Sequence, residues 1–385
     1  MHPEHPRRRF VLLLLITAGS AAFVAPWWSL LPAYVEKALE RPPSVTGALY
    51  AVSMITAGFL YFLGGAAADS LGSRRTMLVG LAGLGVAGFF FVSTHLAVLF
   101  GLSLLIGLGN AFHTTGAMSY LMRAVSEARM GVGAGFFFVS MTLGMALGSL
   151  IFGPLADYWG YRPMGWIMVG GMAVMVVLGW TVLPEAGAAH TEHQSLREMV
   201  TGYRALMASH QVRWLLGVRF LPTCMWGAAS VAFPYLLFVA SGKNQVPAFY
   251  ATTSMVMAAC AQMLTGKFCD RFGLRVSLRG ISLLIPVTTL LTAMWADSVA
   301  GLWIFGILYT CAAWALSTTM PALMNTVSEV GERGRIVGAT HVAWAAGMAI
   351  GQIGAGWLLT VDPAACFYAG TVLCAASVFC AWKVT

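Results

Sequence analysis

The sequence predicts an all-α integral membrane protein in which about twelve spanning helices form two related bundles of six. Three observations predict it. Of 385 residues, 59% are hydrophobic and only 9% are charged, whereas a soluble domain carries about a quarter charged residues to cover its exterior. Apolar runs of about 20 residues recur along the chain, and such runs read as spanning helices because lipid offers the backbone no hydrogen-bond partner. Finally, a polar stretch between two apolar runs, Gly65-x-x-x-Asp69-x-x-Gly72-x-Arg74-Arg75, returns as Gly266-x-x-x-Asp270-Arg271-x-Gly273-x-Arg275. A pattern that recurs about two hundred positions later points to internal duplication.

The predicted spans cover residues 10–31, 44–67, 77–94, 96–122, 131–155, 163–183, 214–240, 248–268, 277–296, 299–325, 336–360 and 364–382. Arg7-Arg8-Arg9 before the first run resembles a secretory leader, but the run is too long for one and reads as a retained span. The two polar motifs fall after the second and eighth spans, as short loops built on an aspartate, a turn glycine and arginines.

Basic residues set the orientation. With the N-terminus inside, the cytoplasmic segments collect Arg7, Arg8, Arg9, Arg74, Arg75, Arg123, Arg129, Arg197, Arg204, Arg213, Lys267, Arg271, Arg275, Arg279, Arg333, Arg335 and Lys383. The outer segments hold only Lys37, Arg41, Arg162 and Lys243. The positive-inside rule then places both termini in the cytoplasm; the expected setting is a bacterial inner (plasma) membrane.

The expected domains are an N-terminal six-helix bundle at 1–184, a cytoplasmic linker at 185–213 and a C-terminal six-helix bundle at 214–385. Leu196, Met199, Val200, Tyr203 and Met207 recur at helical spacing in the linker, as in an amphipathic helix lying on the membrane or a packed connector. The duplication extends further. Val125-Ser126-Glu127 is echoed by Val327-Ser328-Glu329, and Gly144 and Gly148 by Gly347 and Gly351. Two parallel repeats with a substrate between them is a transporter plan.

Other classes fit poorly. The net charge of +8 is dispersed in ones and twos, which argues against nucleic-acid binding. No nucleophile beside a base and no clustered His, Asp or Glu ligands stand at membrane depth, so neither an enzyme nor a metal or other cofactor is expected. The seven cysteines show no C-x-x-C spacing and read as free, buried thiols.

Twelve spans in two halves, with Gly65-x-x-x-Asp69-x-x-Gly72-x-Arg74-Arg75 after the second and a copy after the eighth, resemble the major facilitator superfamily (MFS) over essentially the whole chain. The resemblance implies a secondary transporter working by alternating access. Asp69 is expected to face the N-terminus of the eleventh helix near Ile336, and Asp270 that of the fifth near Gly131, where a carboxylate meets the positive helix dipole. Gly65 and Gly266 would let helices approach, and Arg74, Arg75, Arg271 and Arg275 would hold the carboxylates ionised or bind lipid headgroups; a topogenic loop is the plainer alternative. Ser70 departs from the family's usual basic residue, which Arg271 supplies in the second copy. Gly135, Gly144, Gly148 and Gly153 partly match the antiporter signature G-x8-G-x3-G-P-x-x-G-G, with Ser149 and Phe152 as departures; small residues for close packing explain the same glycines. Gly107-Leu108-Gly109 resembles the tail of a proton-coupling motif whose arginine is here Ser103.

Ionisable groups in lipid are costly and mark function. Every acidic residue maps to a loop or helix end, which argues against a carboxylate relay and against strongly cationic cargo. Arg219, His113 and His341 remain inside. Arg219 either snorkels to the inner interface or meets a substrate anion. Asn110, His113 and Thr114 share one helical face, as a polar cavity wall or a helix–helix bond. Either histidine is a candidate to carry a proton. The resemblance implies a cavity lined by the first, fourth, seventh and tenth helices, which offers Ser20, Trp27, Asn110, His113, Thr114, Arg219, Trp226, Tyr309, Trp314, Ser317 and Thr318. The expected function is proton-linked efflux of a small neutral or amphipathic solute by a monomer. The alternatives are an organic-anion uniporter, symporter or exchanger, and a transport-dead sensor on the same fold.

Overall fold

A computed structural model describes residues 6–125, 130–184, 206–327 and 333–384, and the regular structure among them is helical. The long helices are α1 (Pro6–Lys37), α2 (Pro43–Ser70), α3 (Ser73–Leu84, continued as a 3-10 segment, Gly85–Phe91), α4 (Leu96–Ala124), α5 (Met130–Tyr158) and α6 (Tyr161–Val182). They continue as α7 (His210–Ser241), α8 (Gln245–Phe272), α9 (Leu274–Met294), α10 (Val299–Val327), α11 (Arg333–Leu358) and α12 (Ala365–Val384). Each expected span coincides with one helix. Among the described residues, eleven helices are long and apolar enough to cross a membrane. The exception, α8, carries Gln245, Gln262, Lys267, Asp270 and Arg271 besides several threonines, which dilute its apolar character. The linker with Leu196, Met199, Val200 and Tyr203 lies outside the described residues, as do Ser126, Glu127, Ser328 and Glu329.

The chain divides into two compact units. Residues 1–39, 55–191 and 243–255 form one, and residues 40–54, 192–242 and 256–385 form the other. Relative to bundles at 1–184 and 214–385, each unit takes one helix end from the other half of the sequence.

Both units use the same packing plan. In the first, α1 packs on α5 and α6, and α3 on α4 and α6; in the second, α7 packs on α11 and α12, and α9 on α10 and α12. The glycine pairs singled out in the sequence explain the closest of these seams. A methyl group on Gly144 or Gly148 of α5 would collide with the carbonyls of Ala18 and Ala22 in α1, and one on Gly347 or Gly351 of α11 would meet those of Phe220 and Cys224 in α7. The glycines and their partners recur together, so the duplication is structural as well as textual. Glycine lets two backbones touch, which is how helices gain packing energy where lipid removes the hydrophobic drive. A second repeated contact closes each unit. Arg74 lies 5.6 Å from the Trp180 ring between α3 and α6, and Arg279 lies 5.1 Å from the Trp382 ring between α9 and α12.

Large apolar side chains cover the outside of the helices, among them Leu15, Phe59, Trp166 and Val372, all more than half exposed. Such a surface belongs in lipid, since in water it would drive association. All seven cysteines are free; Cys224, Cys366, Cys374 and Cys380 are buried, but Cys260 is exposed on α8, contrary to the expectation of burial.

Candidate functional site

In the second unit the fold gathers five of the residues singled out from the sequence. Arg219 and Trp226 stand two turns apart on α7, and therefore on one face. The Arg219 Nη1 donates a 3.0 Å hydrogen bond to Oγ of Ser317 on α10. Arg219 begins about 14 Å along α7 at 1.5 Å per residue, well beyond the first turns. The bond carries the guanidinium across to the neighbouring helix rather than back along its own.

Aromatic rings continue the same wall. Trp226 meets Trp314 edge-on with centroids 5.9 Å apart and stacks on Tyr309 at 6.3 Å. Phe233, a further two turns along α7, touches Tyr309 at 6.3 Å. The indole Nε1 of Trp314 is buried and donates no hydrogen bond among the described residues. Thr318, by contrast, bonds back to the Trp314 carbonyl. His341 on α11 lies within electrostatic reach of Arg219, and its Nδ1 is 2.9 Å from the Val337 carbonyl one turn earlier. The helices α7, α10 and α11 carry no Asp or Glu.

In the first unit the polar face of α4 divides. The Thr114 hydroxyl donates to Oδ1 of Asn110 at 3.3 Å. His113 instead faces the Met77 backbone of α3, where Gly80 and Gly116 let the two helices touch. Its Nδ1 is buried and makes no hydrogen bond among the described residues. Ser20 and Trp27 are buried in α1, and the Trp27 ring packs on Trp28 at 4.6 Å. Ser103 is fully buried.

The repeated motifs adopt one turn. Gly72 (φ 94°) and Gly273 (φ 83°) precede α3 and α9 in a backbone conformation that only glycine adopts freely. An added Cβ on Gly65 or Gly266 meets nothing within 4 Å. Asp270 is exposed, and the side chain of Asp69 lies outside what is described. Arg74 is bonded to the Trp180 carbonyl of α6, Arg271 sits over the Phe272 ring, and Arg75 and Arg275 are both exposed.

A third copy of the motif went unrecognised in the sequence. Gly153-x-x-x-Asp157-x-x-Gly160-x-Arg162 has the spacing of the other two but joins α5 to α6, at the opposite end of the helices. Gly160 has φ 83°, as Gly273 does. Here the aspartate is engaged. Asp157 Oδ1 accepts 2.9 Å bonds from the backbone N–H and side-chain Nδ2 of Asn244, and Oδ2 accepts one of 2.9 Å from the Gln245 N–H. Tyr161 donates to Oδ1 of the buried Asn244 at 2.6 Å. The carboxylate thus caps the N-terminus of α8, where the helix dipole favours negative charge. The spacing alone would have found it.

A family model described as the Major Facilitator Superfamily matches residues 10–351. The chain belongs to the Major Facilitator Superfamily. It is accordingly an integral membrane protein and a secondary transporter, and the superfamily is one of transporters, not enzymes. Solved structures carry the same fold. A POT family transporter in complex with a thioalcohol-conjugated peptide is similar at a TM-score of 0.81, with 13% identity over 96% of this chain and 94% of that one. The nucleoside transporter NupG is similar at 0.80, with 16% identity over 98% of both chains. A POT family transporter bound to 5-aminolevulinic acid is similar at 0.83, with 13% identity over 100% of this chain and 98% of that one. A search of curated proteins by sequence finds no match.

Proposed function

We propose that this superfamily member carries a small organic anion with an aromatic or apolar body across the bacterial inner membrane by alternating access. The observation that supports the cargo is the Arg219–Ser317 bond beside the Trp226, Tyr309 and Trp314 rings. A guanidinium beside aromatic rings suits a solute with a carboxylate or phosphate and an apolar part. The glycines that suggested efflux lose that weight, because Gly144 and Gly148 are accounted for by the α1–α5 seam.

His341 is the proposed proton carrier. Two like charges side by side in a medium of low dielectric are costly, so a protonated His341 and Arg219 tolerate each other best with an anion between them. Anion and proton would then travel together. Both termini are proposed to lie in the cytoplasm, and the functional unit is proposed to be a monomer.

The test is a thermal-shift screen of organic anions and neutral amphipathic compounds at two pH values, followed by uptake into proteoliposomes. Stabilisation by anions that is stronger at the lower pH and lost in Arg219→Ala is the expected result. Neutral compounds that stabilise the native protein and Arg219→Ala equally, with no response to anions, would replace this reading with carriage of a neutral amphipathic solute.

A further inference from the structure

We propose that Asp157, Asn244 and Tyr161 form an outer latch that holds the ends of α5 and α8 together, as positioning residues for transport. Three observations carry this. The latch grows from a third copy of the motif that stands twice on the cytoplasmic side, with the same spacing and the same left-handed glycine turn. Its aspartate is held by three charge-assisted hydrogen bonds at a helix N-terminus, a set that orients α8 as well as attracting it. The seam below it is built for contact. A Cβ on Gly153 would strike that of Ala248 and come within 3.2 Å of the Gln245 Cα, and the Thr252 hydroxyl bonds to the Ala146 carbonyl at 2.9 Å.

The contrast with the other copies gives the latch its meaning. Gly153 is pressed against α8, whereas Gly65 and Gly266 face open space. One carboxylate device is made while the equivalent glycines elsewhere are unencumbered, as expected if the copies on the two sides engage by turns. Arg162, in the place of Arg74 and Arg275, is exposed and takes no part in the bonds to α8. The capping carboxylate is therefore the active part, and Asp157→Asn removes its charge while keeping its shape.

The inference rests on the alternating-access reading, but its test needs no substrate. Spin labels on Trp159→Cys and Lys243→Cys, in a background without the seven native cysteines, report the separation of the two helix ends by pulsed electron resonance in lipid nanodiscs. A short distance is expected with the latch intact. Asp157→Asn and Asn244→Ala should each raise the ratio of separated to joined molecules roughly tenfold, and Asp270→Asn should not. Asn244→Ala and Tyr161→Phe serve if the Asp157 variant does not fold. Distances unchanged in Asp157→Asn and Asn244→Ala overturn the latch, whether or not the protein transports; a latch that opens in a protein with no anion uptake would reject the cargo reading alone.

Discussion

Arg219 of α7 is tied to Ser317 of α10 by a hydrogen bond of 3.0 Å. The bond fixes the end of a long, flexible side chain, and a guanidinium held in place loses less freedom when an anion arrives. Ser317→Ala should therefore lower anion affinity about tenfold, the worth of one hydrogen bond to a charged group. Ser317→Thr keeps the hydroxyl and should retain most of the affinity. Calorimetric titration of both variants, with an anion from the screen, decides the matter; equal loss in both would mean that the side chain matters for its size.

Close packing makes a second prediction, with its control on the same helix. Gly351 faces the Cys224 carbonyl, but an added Cβ on Gly354 meets nothing within 4 Å. Gly351→Ala should destabilise by about 1–3 kcal/mol, as overpacking does, and lower the melting temperature in detergent. Gly354→Ala should leave it nearly unchanged. Two variants that melt alike would show that the α7–α11 seam yields to a methyl group.

The first copy of the motif supplies a third. Asp69→Asn should slow uptake into proteoliposomes while the folded protein stays as abundant as the native one. The neutral amide keeps the shape of the carboxylate but not its charge, and with it any attraction to a helix dipole. Transport at the native rate would reduce the motif to a topogenic loop. Ser70 in this copy stands where the second has Arg271, so Asp270→Asn is expected to differ in size of effect.

The positions of the spans were legible because lipid imposes a length and a composition on each segment separately. Even the duplication was legible, since Gly144 and Gly148 recur as Gly347 and Gly351. What those glycines do was not. The spacing partly matches an antiporter signature and also suits a packing seam, and it is the Ala18, Ala22, Phe220 and Cys224 carbonyls against these glycines that show the seam. The site divides in the same way. Arg219, Trp226, Tyr309, Trp314 and Ser317 were each identifiable as polar or aromatic residues in apolar helices. His113 shared that signal with Asn110 and Thr114, yet it faces α3, because a side chain's neighbour depends on which helix packs beside it.

The sequence by itself determined the helices, their number, the membrane setting and the family, all properties of local composition and of a repeated motif. The tertiary structure decided the partners: Ser317 for Arg219, Met77 for His113, and α8 for Asp157. Those depend on contacts between segments far apart in the chain, up to 98 residues for Arg219 and Ser317. Hydrophobic periodicity is averaged over a single helix and carries no record of which other helix it will meet.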